Sequence, residues 1–156
     1  MNKIKHTAGF EISQPVDELF PLFSPEGERF WVPSWDYENI MGTTDLYEDY
    51  IFLTKNHDHV STDTIWLVKR YEPESYLVQF YKVEPENKIG IVTVQCFKKA
   101  EELTYVQVSY EYIGLTEQGR NFIKSFTHDL YEKFISEWEH SILKYYESQC
   151  ELGKGR

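Results

Sequence analysis

The chain has 156 residues, with 26 acidic and 16 basic side chains, a formal net charge of −10 and an aromatic content of 17%. This length predicts one domain over residues 1–156, with an ordered core at about 3–149 and a tail at 150–156. The acidic balance argues against nucleic acid and against anionic membrane surfaces as partners. No stretch approaches the length of a membrane span, so membrane insertion is not expected.

The two cysteines, Cys96 and Cys150, lie in different predicted elements and form no CxxC pattern. The start MNKIKHTAGFEIS has neither an apolar signal core nor the amphipathic character of a transit peptide. We therefore expect reduced thiols in a cytoplasmic protein.

The first element is a strand, predicted by the loose alternation of residues 4–13. Pro15 then begins a short helix over PVDELFPLF, and a second short helical or irregular segment runs from Pro25 into GERFWVPSW. Six more strands follow, over YENIMGTT, YIFLTKN, STDTIWLVKRYEPE, SYLVQFYKVEPEN and the two halves of KIGIVTVQCFKKAEELTYVQVSYEYIG. No helix separates these six strands, so they predict an antiparallel meander.

The segment from Thr116 to Gln149 predicts one long helix. Thr116 is a good N-cap, and Glu117 suits the positive end of the helix dipole. Apolar residues then recur at helical spacing without an interrupting proline. We expect this helix to cross the whole domain and to turn one apolar face toward the sheet, the face formed by Phe126, Leu130, Phe134 and Trp138.

Several predicted strands are apolar or aromatic on both faces, which a sheet with one solvated face does not require. Two explanations follow. Either the sheet curls enough to bury part of its second face, or that face contacts another subunit in a homodimer.

The order of these elements resembles the START-like or SRPBCC superfamily, whose members have the helix-grip fold. The resemblance covers nearly the whole chain and is carried by FEISQPVDELFPLF, GERFWVPSWDYENI, TIWLVKRYEPE, YLVQFYKVEPE and VSYEYIGLTEQG, with Trp138-Glu139 in the helix. It implies an α+β fold in which about seven antiparallel strands curve around the long C-terminal helix, with two short helices after the first strand. The superfamily includes polyketide cyclase-like and lipid-transfer-like proteins, so the resemblance implies a cavity and leaves the function open.

Candidate cavity residues follow from this resemblance. In the superfamily the segment with Trp31 and Trp35 lies near the cavity mouth, where the rings contact a ligand or simply cap the open end of the core. Mid-element aromatic residues are further candidates, because a polar-tipped ligand can satisfy their hydroxyl and N–H groups. These are Trp66, Tyr81, Tyr110 and Trp138, and the helix face adds Phe126, Leu130 and Phe134 as cavity candidates.

Arg70 shares strand parity with Trp66 and is expected on the same face. A buried guanidinium requires an anion. This anion is either a ligand carboxylate or a chain carboxylate such as Glu28 or Glu72, and we favour the internal salt bridge.

No reactive motif stands out, so no catalytic residue is assigned. The NHDH segment with His57 and His59 supplies too few converging ligands for a metal, and no metal or cofactor is expected. The chain has no nucleophile elbow, phosphate loop or HExxH run.

Three functions are open, in this order. The first is a protein that binds or carries a small hydrophobic or aromatic molecule in the cavity. The second is a cyclase, dehydratase or hydrolase acting there on a polyketide-like or other carbonyl substrate. The third is an interaction module like the Hsp90 co-chaperones of the same fold, which would present an exposed apolar patch.

Overall fold

The computed structural model describes residues 2–55 and 63–154. It contains seven strands: β1 (Lys3–Ile12), β2 (Tyr37–Asn39), β3 (Ile51–Thr54), β4 (Thr64–Glu72), β5 (Leu77–Glu84), β6 (Lys88–Ala100) and β7 (Leu103–Gly114). They form one antiparallel sheet in the order β1-β7-β6-β5-β4-β3-β2, in which β1 closes onto β7 and the rest is a meander. The predicted α+β architecture is confirmed.

Short helices connect β1 to β2. They are α1 (Val16–Leu19), a 3-10 helix (Phe20–Phe23) and α2 (Pro25–Glu28). Pro25 stands at the start of α2, where the missing backbone N–H removes no helical hydrogen bond. Ser24 caps α2, since its hydroxyl accepts a hydrogen bond from the Gly27 N–H at 2.9 Å. This part of the resemblance is also confirmed.

The C-terminal segment is two helices, whereas one helix was predicted from Thr116. They are α3 (Glu117–Ser125) and α4 (His128–Lys154). Thr116 caps α3 as expected, with its hydroxyl accepting a hydrogen bond from the Gly119 N–H at 3.4 Å. The long C-terminal helix is therefore confirmed as α4, but its predicted start was wrong.

The two helices meet at Phe126 and Thr127. Phe126 leaves the helical conformation, with φ −85° and ψ 77°. Thr127 begins α4, because its carbonyl accepts the Tyr131 N–H at 3.0 Å and its hydroxyl accepts the Leu130 N–H at 3.3 Å. His6 on β1 donates its Nε2 proton to the Phe126 carbonyl at 2.8 Å and so ties the junction to the sheet.

The core lies between the inner face of the sheet, α4 and the short helices. Along β6 and β7, buried residues alternate with partly exposed ones, as expected for a sheet with one covered face. On α4 the fully buried stripe consists of Tyr131, Ile135 and Ile142. Their spacing of four and seven residues places them on one helix face.

The outer face of the sheet carries apolar side chains that are only partly buried, among them Tyr81 on β5 and Ile91 on β6. This is the face that the homodimer prediction concerns. The homodimer stays a prediction, and light-scattering mass in solution tests it.

Three further sequence-based expectations concern membrane spans, the cysteines and a metal site. No helix in the part of the chain that the structure describes is long and apolar enough to cross a membrane. Cys96 is buried, Cys150 is exposed, and both are free thiols. His57 and His59 lie outside the described residues; within residues 2–55 and 63–154, no group of three His, Cys, Asp or Glu side chains could hold a metal ion.

Candidate functional site

A cavity of about 270 Å³ lies between α4, the inner face of the sheet and the segment that follows α2. Six of the ten candidate side chains line it: Trp31, Trp35, Trp66, Tyr110, Phe134 and Trp138. The other lining residues are Glu28, Val32, Pro33, Phe52, Phe80, Lys82, Val92, Val94, Glu137 and Ser141. All four tryptophans of the chain therefore contact this space.

Three of the indole rings are fixed by hydrogen bonds to the protein itself. The Nε1–H of Trp31 donates to the Leu22 carbonyl at 2.7 Å, and that of Trp35 donates to the Pro25 carbonyl at 2.8 Å. The Nε1–H of Trp66 donates to the Thr54 hydroxyl at 3.0 Å. Since these N–H groups are already satisfied, the rings offer a ligand their faces and edges.

Ring contacts join these side chains into continuous walls. Trp31 meets Trp138 edge to face, with centroids 5.3 Å apart, and so connects the segment after α2 to α4. On the opposite side, Phe52 and Trp66 stack with centroids 5.6 Å apart. The cavity is thus held open between rigid aromatic surfaces.

Glu28 is an acidic group in this aromatic lining. Its backbone is fixed, because its N–H donates to the Ser24 carbonyl at 2.8 Å and its carbonyl accepts the Val32 N–H at 2.9 Å. Within the described residues its carboxyl has no hydrogen-bond or ion-pair partner. Burial raises the pKa of Glu28 to about 8. The carboxyl therefore exchanges its proton near neutral pH.

Tyr110 brings a hydroxyl from β7 into the same space. The side chain is buried, and in the described part of the chain its hydroxyl makes no hydrogen bond. Burial, followed by the nearby Tyr112 and Glu28, raises the pKa of Tyr110 well above its ordinary value. The hydroxyl thus stays protonated and can donate to a ligand.

Lys82 provides a cation at another part of the wall. Its Nζ contacts the Tyr112 hydroxyl at 3.4 Å and lies 5.5 Å from the centre of the Trp66 ring. Burial opposes its charge, but Tyr112 and Glu84 favour the charge more strongly, so the pKa of Lys82 is raised overall. Lys82 and Glu28 form no ion pair, although both line the cavity.

Arg70 is not in the cavity, and the prediction that it shares a face with Trp66 was wrong. A β-bulge shifts the register of β4 against β5 between Val68 and Arg70. Val68 pairs with inward-facing Phe80, whereas Arg70 pairs with Gln79, the residue before Phe80 on β5. The guanidinium is exposed and forms a salt bridge to Glu72. Glu72 was one of the partners expected for it.

Tyr81 is also excluded from the cavity, because its neighbours Phe80 and Lys82 on β5 point inward. Side chains alternate along a strand, so Tyr81 lies on the outer face. There the Lys69 ammonium lies 5.2 Å from the centre of its ring.

Two residues of the predicted helix face lie elsewhere. Phe126 sits at the helix junction and packs on Phe122, with centroids 5.2 Å apart. Leu130 is 50% exposed. The break before α4 explains both, because it removes Phe126 from the helix, and the buried stripe begins at Tyr131.

Glu28 and Lys82 are cavity residues that the sequence analysis did not assign as such. Charged side chains usually lie in solvent, so the sequence analysis expected neither residue in a cavity. A signal was present for Lys82, which has the same parity as Val78 and Phe80 in SYLVQFYKVEPEN. For Glu28 the only sequence signal was its position three residues before Trp31.

The arrangement can enclose a flat apolar molecule and address its polar groups at separate points. Glu28 can accept or donate a proton, and Tyr110 can donate a hydrogen bond. The Lys82 ammonium can donate a hydrogen bond to an acceptor and balance a negative charge on it.

No protein-family model matches the sequence, and a search of curated proteins found no match. Solved structures match in fold. Norcoclaurine synthase from Thalictrum flavum, in complex with dopamine and hydroxybenzaldehyde, is 12% identical, with a TM-score of 0.65 over 91% of this chain and 87% of that chain. Ara h 8.0201 is 10% identical, with a TM-score of 0.64 over 94% of this chain and 97% of that chain.

A third similar structure is the di-domain ARO/CYC protein BexL of the BE-7585A biosynthetic pathway. It is 11% identical, with a TM-score of 0.65 over 91% of this chain and 46% of that chain. At these identities the similarity establishes the fold alone. The chain therefore has the helix-grip fold, as its resemblance to START-like proteins indicated.

Proposed function

We propose that this helix-grip protein binds a small aromatic molecule in the cavity beneath α4. The observation that carries the proposal is the aromatic lining, in which four tryptophans surround one open space between α4 and the sheet. A volume of about 270 Å³ is close to the lower end of small-molecule sites, roughly 300 Å³. This size suits a ligand of one or two rings.

The solved structures support this choice of ligand size. Norcoclaurine synthase, whose fold this chain shares, is described in complex with dopamine and hydroxybenzaldehyde, which are single-ring molecules. An interaction module of this fold would present an exposed apolar patch in place of a cavity, so this alternative ranks lower. The cytoplasmic location stays a prediction.

Tryptophan fluorescence provides a direct test, because every tryptophan lines the cavity. We expect single-ring aromatic compounds such as 2-phenylethanol to change the emission saturably. Val92→Phe should abolish the response, since Val92 lines the cavity and a larger side chain would fill it. Thr93→Phe is the matched control, because Thr93 is the next residue on β6 and lies on the outer face.

Two outcomes would contradict the proposal. A lack of saturable binding across a panel of one- and two-ring compounds would remove it. Equal binding by the Val92→Phe variant and by the wild-type protein would place the ligand outside the cavity.

A second candidate function is acid–base catalysis on a carbonyl compound, favoured by the free Glu28 carboxyl and Tyr110 hydroxyl. The Glu28 carboxylate would remove a proton from the carbon next to a carbonyl, and the Tyr110 hydroxyl would donate a hydrogen bond to the enolate oxygen that forms. Efficient general bases have pKa values near the working pH. The value of about 8 for Glu28 meets this condition.

Proton exchange tests this second candidate without knowledge of the natural substrate. We expect the protein to accelerate deuterium incorporation into the methyl group of acetophenone in heavy water, followed by NMR. Glu28→Gln should reduce the acceleration at least tenfold, and Tyr110→Phe should reduce it as well. Exchange no faster than in buffer alone would refute a catalytic role of this kind.

A further inference from the structure

The polar groups of the cavity are unevenly distributed. Glu28 is the last residue of α2, and a second acidic residue, the exposed Glu137 on α4, lines the same space. Among the lining residues that the structure describes, Lys82 on β5 is the one cation. The acidic residues of the cavity therefore lie on α2 and α4, whereas the basic residue, Lys82, lies on the sheet.

We infer that the ligand is an aromatic compound with a protonated amine, and that the amine binds between the Glu28 carboxyl and the surrounding aromatic rings. This inference rests on the proposed function and specifies its ligand class. The Glu28 carboxyl is partly buried, lines the cavity and has no partner in the described protein, a situation that favours a proton or a cation beside it. A ligand amine supplies the cation.

The rings near Glu28 strengthen the case for a cation. Trp31 and Trp138 line the cavity on the same side, and Phe134 lies beside Trp138 with ring centroids 6.0 Å apart. Aromatic faces attract ammonium groups through their negative quadrupole, and tryptophan does so best. An amine in this cavity would thus have the Glu28 carboxylate and an aromatic lining around it.

Lys82 does not compete for this carboxyl. No Lys82–Glu28 ion pair forms within 4.0 Å, and the Lys82 ammonium lies instead over the Trp66 and Tyr112 rings, 5.5 and 5.8 Å from their centres. Its ammonium therefore remains available to an acceptor oxygen of the ligand.

Binding of a cation should release the Glu28 proton. Burial raises the pKa of Glu28 to about 8 in the empty protein, and a bound ammonium would lower it. Below about pH 8 the affinity for an amine should therefore rise about tenfold per pH unit, and above it the affinity should level off. A neutral hydrogen-bond acceptor would show the opposite trend, because it needs the protonated acid.

Other titratable groups that face the cavity come from three elements. Tyr110 on β7 has a strongly raised pKa and stays neutral, and Lys82 on β5 has a raised pKa and stays charged. Glu137 on α4 is the remaining group in the described part of the lining. The variant Glu137→Gln separates its contribution from that of Glu28.

The experiment compares 2-phenylethylamine with 2-phenylethanol, a neutral molecule of nearly the same shape. Both are titrated against tryptophan fluorescence from about pH 6 to about pH 9, a range in which the amine stays largely protonated. The proteins are the wild type, Glu28→Gln and Glu137→Gln. Calorimetry in two buffers of different ionisation enthalpy counts the protons released.

We expect wild-type affinity for the amine to rise about tenfold from pH 6 to 7, with close to one proton released, and to level off above pH 8. Glu28→Gln should bind the amine at least tenfold more weakly at pH 9 and without this pH dependence, yet still bind the alcohol. Glu137→Gln should keep the pH dependence.

The possible failures are distinguishable. Binding of the alcohol without preferential binding of the amine at pH 9 would overturn the inference and leave the proposed function intact. An amine affinity that is independent of pH, or unchanged in Glu28→Gln, would do the same. Binding of neither probe would overturn both the inference and the proposed function for ligands of this size.

Discussion

Glu28 is a carboxyl that folding removes from most of its water. Burial raises its pKa from the ordinary 4.5 to about 8, so the folded protein holds this proton more tightly than the unfolded chain does. Its contribution to stability is fully present below about pH 4.5 and is lost as the pH rises through about 8. We therefore expect wild-type stability to decline across this window relative to Glu28→Gln, which has no such proton to lose.

The pKa change sets an upper bound of roughly 5 kcal/mol on this decline. Because the cavity gives the carboxyl some contact with water, we expect about 2 kcal/mol. Urea unfolding at about pH 5 and about pH 9 measures it. Glu147→Gln, which removes an exposed carboxyl on α4, should follow the wild type. Parallel pH profiles for Glu28→Gln and the wild type would show that Glu28 ionises freely in the folded state.

Lys82 on β5 and Arg70 on β4 are cations on neighbouring strands. The Lys82 side chain faces the cavity, and the Arg70 side chain faces outward. Removing the Lys82 charge should strengthen binding of 2-phenylethylamine several-fold, because like charges within one cavity repel. Arg70→Met is the matched control and should change the affinity less than twofold, since Arg70 lies on the outer face in its salt bridge to Glu72. Fluorescence titration of Lys82→Met and Arg70→Met measures both. Weaker amine binding in Lys82→Met would contradict the electrostatic reasoning.

The sequence did not predict for every site residue whether its side chain faces the cavity or the outer side of the sheet. The aromatic residues Trp31, Trp66 and Trp138 were predicted in the cavity, and they line it. Arg70 was misplaced because one extra residue in β4 reverses strand parity, and a bulge leaves no regular mark in a strand rich in β-branched and aromatic residues. Tyr81 was misplaced because both faces of β5 carry large side chains, so periodicity alone did not decide which one is buried.

At the level of elements, the junction between α3 and α4 depends on a contact from β1. The Phe126 carbonyl is no longer in a helical hydrogen-bond pattern, and His6 Nε2 donates to it at 2.8 Å. His6→Phe keeps an aromatic ring beside Tyr131 but leaves this carbonyl without its donor. We expect a loss of about 1 kcal/mol in the free energy of unfolding.

Urea unfolding at neutral pH measures this loss, with His128→Phe as the matched control. His128 contacts the His6 ring at 3.3 Å and pairs with Glu132 at an exposed position, so its replacement removes both contacts and keeps the bond to Phe126. The control should lose no more than about 0.5 kcal/mol. Equal losses in the two variants would show that the histidine pair, and not the bond to Phe126, supports the junction.

The break between the helices had a weak sequence signal. Thr127 is a favoured N-cap residue, and Asp129 follows in the first turn of α4. The apolar spacing through Phe122, Phe126 and Leu130 concealed it, because the same spacing is expected of an uninterrupted helix. At the break, the Phe126 carbonyl bonds to His6, which is 120 residues away in sequence and outside the reach of a local pattern.

For the whole molecule, element order was sufficient to predict the fold. A strand, short helices, a six-stranded meander and a long helix can satisfy their apolar faces by wrapping the sheet around the helix. The cavity was an implication of the family resemblance, and its chemistry came from Glu28 and Lys82. Those two side chains could be assigned only after the positions of α2 and β5 in the fold were known.

The last prediction concerns the stability of the whole domain. A ligand that binds only the folded protein raises the free energy of unfolding by about 1.4 kcal/mol at ten times its Kd. For a chain of this length, 2-phenylethylamine at that concentration should raise the wild-type Tm by roughly 3 to 6 °C. Val92→Phe should have no such response, because the folded state then lacks the cavity. A Tm increase of the same size in Val92→Phe would mean that the amine stabilises the protein from its acidic surface.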